Sequence, residues 1–367
     1  MKNLIFTVCA LLFTLLFAYA YAEPRTITAY TEVEKWGQMP QYFEISHQTL
    51  PEEVKPDDFI IEGEAAGWNT ETRHPFSVAV KSVEVTGDGW RLYPDRFPDK
   101  YFYVRNMTVT CAKQPDLSFT LEDITETVTP VADDFIWIEN KEKRLSAHLF
   151  KPEADTLLPL VIVFHGYGDT ENLLTYRTAV HWAEPDQQAA HPCVVLAPVI
   201  ESALYFSDPA RTKICRAVME YVDEMAAEGI VDPNRIYLTG NSFGGMTSLE
   251  MAEEYPDRIA AVLALCPALN YSKTGMARLP ELTDTPIWIA QAENDETISS
   301  TVGKKAAQVL QEAGNEHVQL KIYSDEEMEA HGATHGSEQT YSFHHVELAV
   351  LEDESYSEWL FSNRLSD

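Results

Sequence analysis

Residues 236–245 read "IYLTGNSFGG": an apolar, β-prone run that stops on Gly240, a lone serine at Ser242, and Gly244 and Gly245 opening the helix-spaced stretch "GGMTSLEMAEEYP". A strand that turns into a helix within so few residues brings two backbones close together, and small residues flank the serine because there is no room for side chains. A strand feeding directly into a helix implies a mostly parallel sheet with helices on both faces. The serine at such a turn is held up, strained and accessible, the geometry of a nucleophile elbow.

The texture around that turn agrees. From about residue 131 the chain alternates: "FIWIEN" and "RLSAHLF" read as an antiparallel pair, "PLVIVFHG" and "CVVLAPV" as buried strands. In "DPARTKICRAVMEYVDEMAAEG", Ile214, Val218, Tyr221, Val222 and Met225 share one helical face, and Asp208-Pro209 is a start signal. The strands "IAAVLAL", "PIWIAQA" and "VQLKIYS" and the helices "VGKKAAQVLQEAG" and "DESYSEWLFSN" complete the series. Residues 23–130 differ. They carry β-type runs such as "FSVAVKSVEVTGDGW" and "KYFYVRNMTVTC" between turn residues, which predicts a small all-β sandwich. The expected division is a sandwich over 23–130 and an α/β domain over 131–367, with the boundary in "EDITETVTPVADD". No internal repeat or low-complexity tract interrupts either part.

Residues 1–22 carry Lys2, an apolar core and Ala20-Tyr21-Ala22, the pattern of a cleaved secretory signal. The core is short for a membrane anchor and no stop-transfer charges follow it, so no membrane partner is expected after cleavage and the location is secreted or periplasmic. The net charge of -31 excludes nucleic acid as a partner and disfavours polyanionic substrates. Beyond the leader lie Cys111, Cys193, Cys215 and Cys266. Cys193 and Cys215 share one segment and are the expected disulfide, leaving the other two as thiols. No cysteine or histidine spacing of zinc type occurs.

In a parallel sheet the active groups gather at the carboxyl ends of the strands. Ser242 is there. So is "FHGYGDT", a glycine-rich turn after the strand that begins at Pro159, and the backbone amides of Tyr167 and Phe243 are the candidate oxyanion donors. His165 reads as structural. In "PIWIAQAENDETI", Asp295 follows a strand where the order serine, acid, histidine expects the acid, with Glu293 and Glu296 as neighbours. The base comes from His331, His335, His344 and His345, any of which can accept the serine proton. A metal site built from these histidines is the rival reading. The glycines of "GNSFGG" match no dinucleotide or phosphate loop, so no cofactor is implied.

Taken together these motifs resemble the carboxylesterase branch of the α/β-hydrolase superfamily over about residues 135–363. "HGYGDT" is similar to the oxyanion turn of acyl-protein thioesterase-like carboxylesterases, and "GNSFGG" to the elbow of secreted esterases related to prolyl oligopeptidase. In those esterases the catalytic histidine precedes a closing helix at a regular interval, and measuring back from Trp359-Leu360-Phe361 reaches His344. The local wording "HGATHGS" favours His335 instead, and Phe343 and Val346-Glu347 depart from the family's residues around the base. The interval selects His344, with His335 as the alternative. The resemblance implies an α/β-hydrolase fold, a Ser242-His344-Asp295 triad and an acyl-enzyme on the way to hydrolysis of short acyl esters, either small molecules or polymer-linked. Feruloyl or acetyl groups on plant polysaccharide are the alternative substrates. A lipase lacks an evident apolar lid here, and a prolyl oligopeptidase-type peptidase lacks room for its propeller. A non-catalytic polymer-binding protein is the contrasting class. Some secreted esterases of this kind carry an N-terminal immunoglobulin-like domain, which residues 23–130 resemble. No feature specifies an oligomeric state.

Overall fold

Two eight-stranded sheets carry the chain, one built by each half of the strand series. The computed structural model describes residues 24–366 except 36, 67–72, 98–102, 143, 169–172 and 336–341. The expected secretory leader lies outside the described residues.

The first sheet contains β1 (Thr26–Glu34), β2 (Gly37–Ser46), β3 (Phe59–Ala66), β4 (His74–Val85), β5 (Gly89–Pro94), β6 (Tyr103–Cys111), β7 (Phe119–Thr120) and β8 (Glu126–Val128). Their spatial order is β7-β6-β3-β4-β5-β2-β1-β8. Strand β4 pairs with β3 through its first half and with β5 through its second, and its register with β5 shifts between Val80 and Ser82. An extra residue at such a point bends a strand and raises its twist. The sheet folds over on itself there. Phe59 of β3 meets Trp90 of β5 at 5.5 Å between ring centroids, and Phe43 of β2 meets Phe119 of β7 at the same separation. The period-two alternation that buries Phe76, Val78 and Val80 while exposing their neighbours supplies this interior.

The second sheet comprises β9 (Ile136–Asn140), β10 (Leu145–Phe150), β11 (Leu158–Phe164), β12 (Val194–Pro198), β13 (Val231–Asn241), β14 (Ala261–Leu265), β15 (Ile287–Ala292) and β16 (Val318–Tyr323). They lie in the order β16-β15-β14-β13-β11-β12-β10-β9. The pairings β9/β10 and β10/β12 are antiparallel and the rest parallel. The central strands are continuous apolar runs because both faces are covered. Leu160 and Ile162 of β11 pack with residues of α1 (Asp208–Ala227), α2 (Phe243–Glu254) and α3 (Ser300–Glu312). Val161 and Val163 point the other way, into the core that includes Tyr356 and Leu360 of α4 (Glu354–Ser362). Among the described residues no helix is long and apolar enough to cross a membrane.

The expected Cys193–Cys215 disulfide is absent: all four described cysteines are free and buried. Cys193 belongs to the core on the α4 face, with its Sγ 3.6 Å from the Trp182 carbonyl, whereas Cys215 belongs to the core under α1. The sheet lies between two sulfurs that must sit about 2 Å apart to bond. Burial pushes the Cys193 thiol up to about 12, so it stays protonated.

Candidate active site

Ser242 has φ 57 and ψ -117, a conformation that non-glycine residues rarely adopt. The turn around it explains why the chain tolerates this. A Cβ at either Gly240 or Gly244 would collide with the Phe164 carbonyl oxygen of β11, so the elbow closes only with glycine on both sides. The Ser242 amide donates to Leu265 O at 2.9 Å, and the Ser242 carbonyl accepts from Ala268 N at 3.0 Å and Met246 N at 3.1 Å. The backbone is thus clamped between the end of β14 and the first turn of α2. The side chain sits at the amino end of a 12-residue helix, where the macrodipole favours developing negative charge.

Beyond β15 the chain turns through Asp295, whose Oδ1 accepts from the amides of Thr297 and Ile298, both at 2.8 Å. The same carboxylate takes His344 Nδ1 at 2.9 Å to Oδ2 and 3.0 Å to Oδ1. This pair is nearly sealed: the Asp295 side chain has no exposed surface and that of His344 is 13% exposed. Burial opposes an imidazolium at His344. The hydrogen-bonded Asp295 carboxylate acts in the other direction, and the pKa is held well above the usual 6.5. With Nδ1 committed to the carboxylate, Nε2 is the nitrogen left to exchange a proton. Among the described residues the Ser242 hydroxyl makes no hydrogen bond to His344, a contact that often tightens only when substrate is bound.

The other candidates lie elsewhere. Glu293 pairs with Lys304 at 2.7 Å at the surface. Glu296 accepts from Phe343 N at 3.1 Å and faces His335 Nδ1 at 3.3 Å, and the His335 side chain is 61% exposed. His331 binds Glu352 at 2.6 Å. Burial pushes His345 down to about 4 and leaves it neutral. His165 is buried with Nδ1 against Gly166 O at 2.7 Å and Nε2 accepting from Ile200 N at 2.9 Å. Those two bonds specify its tautomer, and burial lowers its pKa to about 4. It braces the turn that presents Tyr167, which, with Phe243, stands at the carboxyl edge of the sheet beside Ser242.

Two residues that matter locally carry no motif. Cys266, at φ 35, follows β14 and donates its thiol to His344 O at 3.3 Å. Glu296 anchors the amide of Phe343, the residue before His344. The only linear hint for either is position: each follows a strand at its carboxyl end. Ligating atoms of Cys266, Asp295 and His344 lie within 4.8 Å of one another. A metal there would have to displace the Asp295–His344 hydrogen bonds and deprotonate a thiol whose pKa burial raises.

Residues 207–335 match the model of the phospholipase/carboxylesterase family, a span that holds Ser242, Asp295 and His335 and ends before His344. The quorum-quenching protein AidA of Acinetobacter baumannii (strain MDR-ZJ06) is 25% identical over 202 residues, covering 52% of this chain and 61% of that protein. The bifunctional acetylxylan esterase/xylanase XynS20E of Neocallimastix patriciarum is 28% identical over 141 residues, covering 38% of this chain and 20% of that protein. The chain thus spans less than two thirds of the length of these relatives. The crystal structure of a thermostable esterase superposes with a TM-score of 0.70 at 23% identity, covering 92% of this chain and 99% of that one. The chain therefore has the α/β-hydrolase fold, and over residues 207–335 it is similar to the phospholipase/carboxylesterase family.

Proposed function

We propose that the protein is a secreted or periplasmic serine esterase acting on short acyl esters. Ser242 Oγ attacks the ester carbonyl while His344 Nε2 takes its proton. Asp295 keeps the imidazole in the required tautomer and stabilises the imidazolium. The amides of Tyr167 and Phe243 receive the oxyanion, and the proton on His344 passes to the departing alcohol. Water, activated by the same histidine, then releases the acid from Ser242. No cofactor enters this sequence. Residues 1–22 act as the signal, residues 23–130 form an immunoglobulin-like domain, and residues 131–367 carry catalysis.

One observation supports this reading above the others. A strained serine at a strand-to-helix turn and a buried, hydrogen-bonded Asp295–His344 pair occupy the same carboxyl edge of one sheet. The test is hydrolysis of p-nitrophenyl acetate, butyrate and longer esters by purified residues 23–367 beside Ser242→Ala. The variant is expected to lose about 10^6-fold in kcat. Activity that survives the substitution removes Ser242 from the mechanism. The name of the Neocallimastix relative supports a second substrate reading, acetyl groups on plant polysaccharide, and acetylated xylan in the same assay decides between them.

A further inference from the structure

Three aromatic side chains from three separate loops stand half in water around Phe243. Tyr167 follows β11 and is 44% exposed, Phe206 ends the turn Ser202–Phe206 after β12 and is 53% exposed, and Tyr271 ends the turn Leu269–Tyr271 after β14 and is 46% exposed. All three come from carboxyl ends of parallel strands, the edge that carries Ser242. Their ring centroids lie 6.0, 5.2 and 5.2 Å from that of Phe243, and Phe206 is 5.6 Å from Tyr167 and 6.1 Å from Tyr271.

Large rings left in water one at a time are ordinary; rings clustered on one rim mark a binding surface. The angles say what shape it has. Phe206 stands at 65° to Tyr167 and 73° to Tyr271, while these two tilt by 43° and 39° to the buried Phe243. The rings touch one another edge to face or tilted, and the half of each left in water offers a face or an edge to a further ring at the spacing that aromatic pairs favour. The Arg211 guanidinium hydrogen-bonds Tyr205 O, next to Phe206, and binds Glu250 of α2 at 2.6 Å, so the Phe206 wall is anchored to the helix that begins just after Ser242. Because Phe243 directly follows Ser242, a ring held here lies within a few bonds of the carbonyl under attack.

We propose that Tyr167, Phe206 and Tyr271, seated on Phe243, form an aromatic slot that binds the aryl group of an aryl ester, with Phe206 and Tyr271 as specificity-determining residues. The proposal rests on the esterase reading, since that reading brings an ester carbonyl to Ser242. A flat ring meets the slot's faces and edges; a saturated ring of similar size buries comparable apolar surface without those contacts.

The experiment compares phenyl acetate with cyclohexyl acetate, and methyl benzoate with methyl cyclohexanecarboxylate, on wild type, Phe206→Ala, Phe206→Tyr and Tyr271→Leu. Taking each variant relative to wild type removes intrinsic differences in ester reactivity. Phe206→Ala and Tyr271→Leu are expected to lower kcat/KM about tenfold on the aryl member of one pair, with less than about threefold change on its saturated partner, and Phe206→Tyr should restore the aryl rate. Loss on phenyl acetate assigns the slot to the alcohol side; loss on methyl benzoate assigns it to the acyl side. Equal losses on aryl and saturated esters, or none on either, overturn the proposal. Saturation-transfer NMR of benzamide and cyclohexanecarboxamide on Ser242→Ala, with and without Phe206→Ala, needs no turnover. Selective benzamide contact that vanishes with Phe206 upholds the slot even if no ester is hydrolysed. Equal contact by both amides removes the slot and leaves the role of Ser242 untouched. Thermal melts of each variant exclude unfolding as the cause of a loss.

Discussion

At His344, burial and charge act against each other. Desolvation penalises the imidazolium, but the hydrogen-bonded Asp295 carboxylate outweighs it, and the pKa is raised well above 6.5. In the proposed mechanism His344 is the general base, and a base works only when neutral. The consequence is that kcat/KM should fall as the pH drops through that raised value, placing the acid limb above the pKa of free imidazole. Asp295→Asn removes the carboxylate and with it part of the upward shift, so the limb should move to lower pH while the plateau rate drops about 10^4-fold. A pH profile of kcat/KM for both proteins measures the two effects at once, and a limb that stays in place would belong to a group other than His344. The Cys266 thiol donates to the His344 carbonyl, so in the proposed mechanism it would position the backbone of the base rather than touch substrate.

Among the elements, α1 and α2 are joined by a buried ion pair. Arg211 of α1 has no exposed surface and binds Glu250 of α2 through two hydrogen bonds of 2.6 Å, Asp208 at 2.8 Å, and the carbonyl of Tyr205. Removing only the cation would leave the Glu250 carboxylate buried and uncompensated. Arg211→Leu should therefore destabilise the fold by about 3–5 kcal/mol in urea unfolding, and Arg211→Leu with Glu250→Leu should recover most of that loss. If the single and double variants are equally unstable, packing rather than charge is the source. The same network ties the turn carrying Phe206 to the helix that starts after Ser242, so the single variant is also expected to lower kcat/KM on every ester.

Across the whole molecule the formal charge of -31 sets the field that an approaching substrate meets. An ester bearing a carboxylate, such as methyl hydrogen succinate, should be hydrolysed more slowly than neutral methyl butyrate at low ionic strength. Salt between about 0.01 and 0.15 M, where the Debye length falls from about 30 to about 8 Å, should narrow that gap several-fold. A ratio independent of salt would mean that local contacts, not the global field, discriminate. The contact between the first sheet and the α/β part includes Lys35, which binds Glu352 at 2.6 Å beside His331. Such a partly exposed pair is worth about 1 kcal/mol at most, while one buried apolar cluster includes residues of both parts.

Much of the short-range information was legible in the chain, though not the first three strands or the helix Asp325–Ala330. Apolar runs of strand length mark β11 to β15, the helical spacing after Asp208-Pro209 marks α1, and the glycines about Ser242 mark a turn that admits no Cβ, because period and turn chemistry act within a few residues. The position of Asp295 after β15 follows from the same local order. What lies across the sheet did not follow. Cys193 and Cys215 share a segment yet fall on opposite faces, since linear spacing does not say which side of the sheet a side chain enters. His344 meets an acid 49 residues away and a thiol 78 residues away, and His335 turns to Glu296 instead. Likewise, the three half-exposed rings meet only because β11, β12 and β14 end on one edge. Strand order and face decide these contacts, and both arise from packing the whole sheet between its helices, a cooperative choice that no window of the sequence contains.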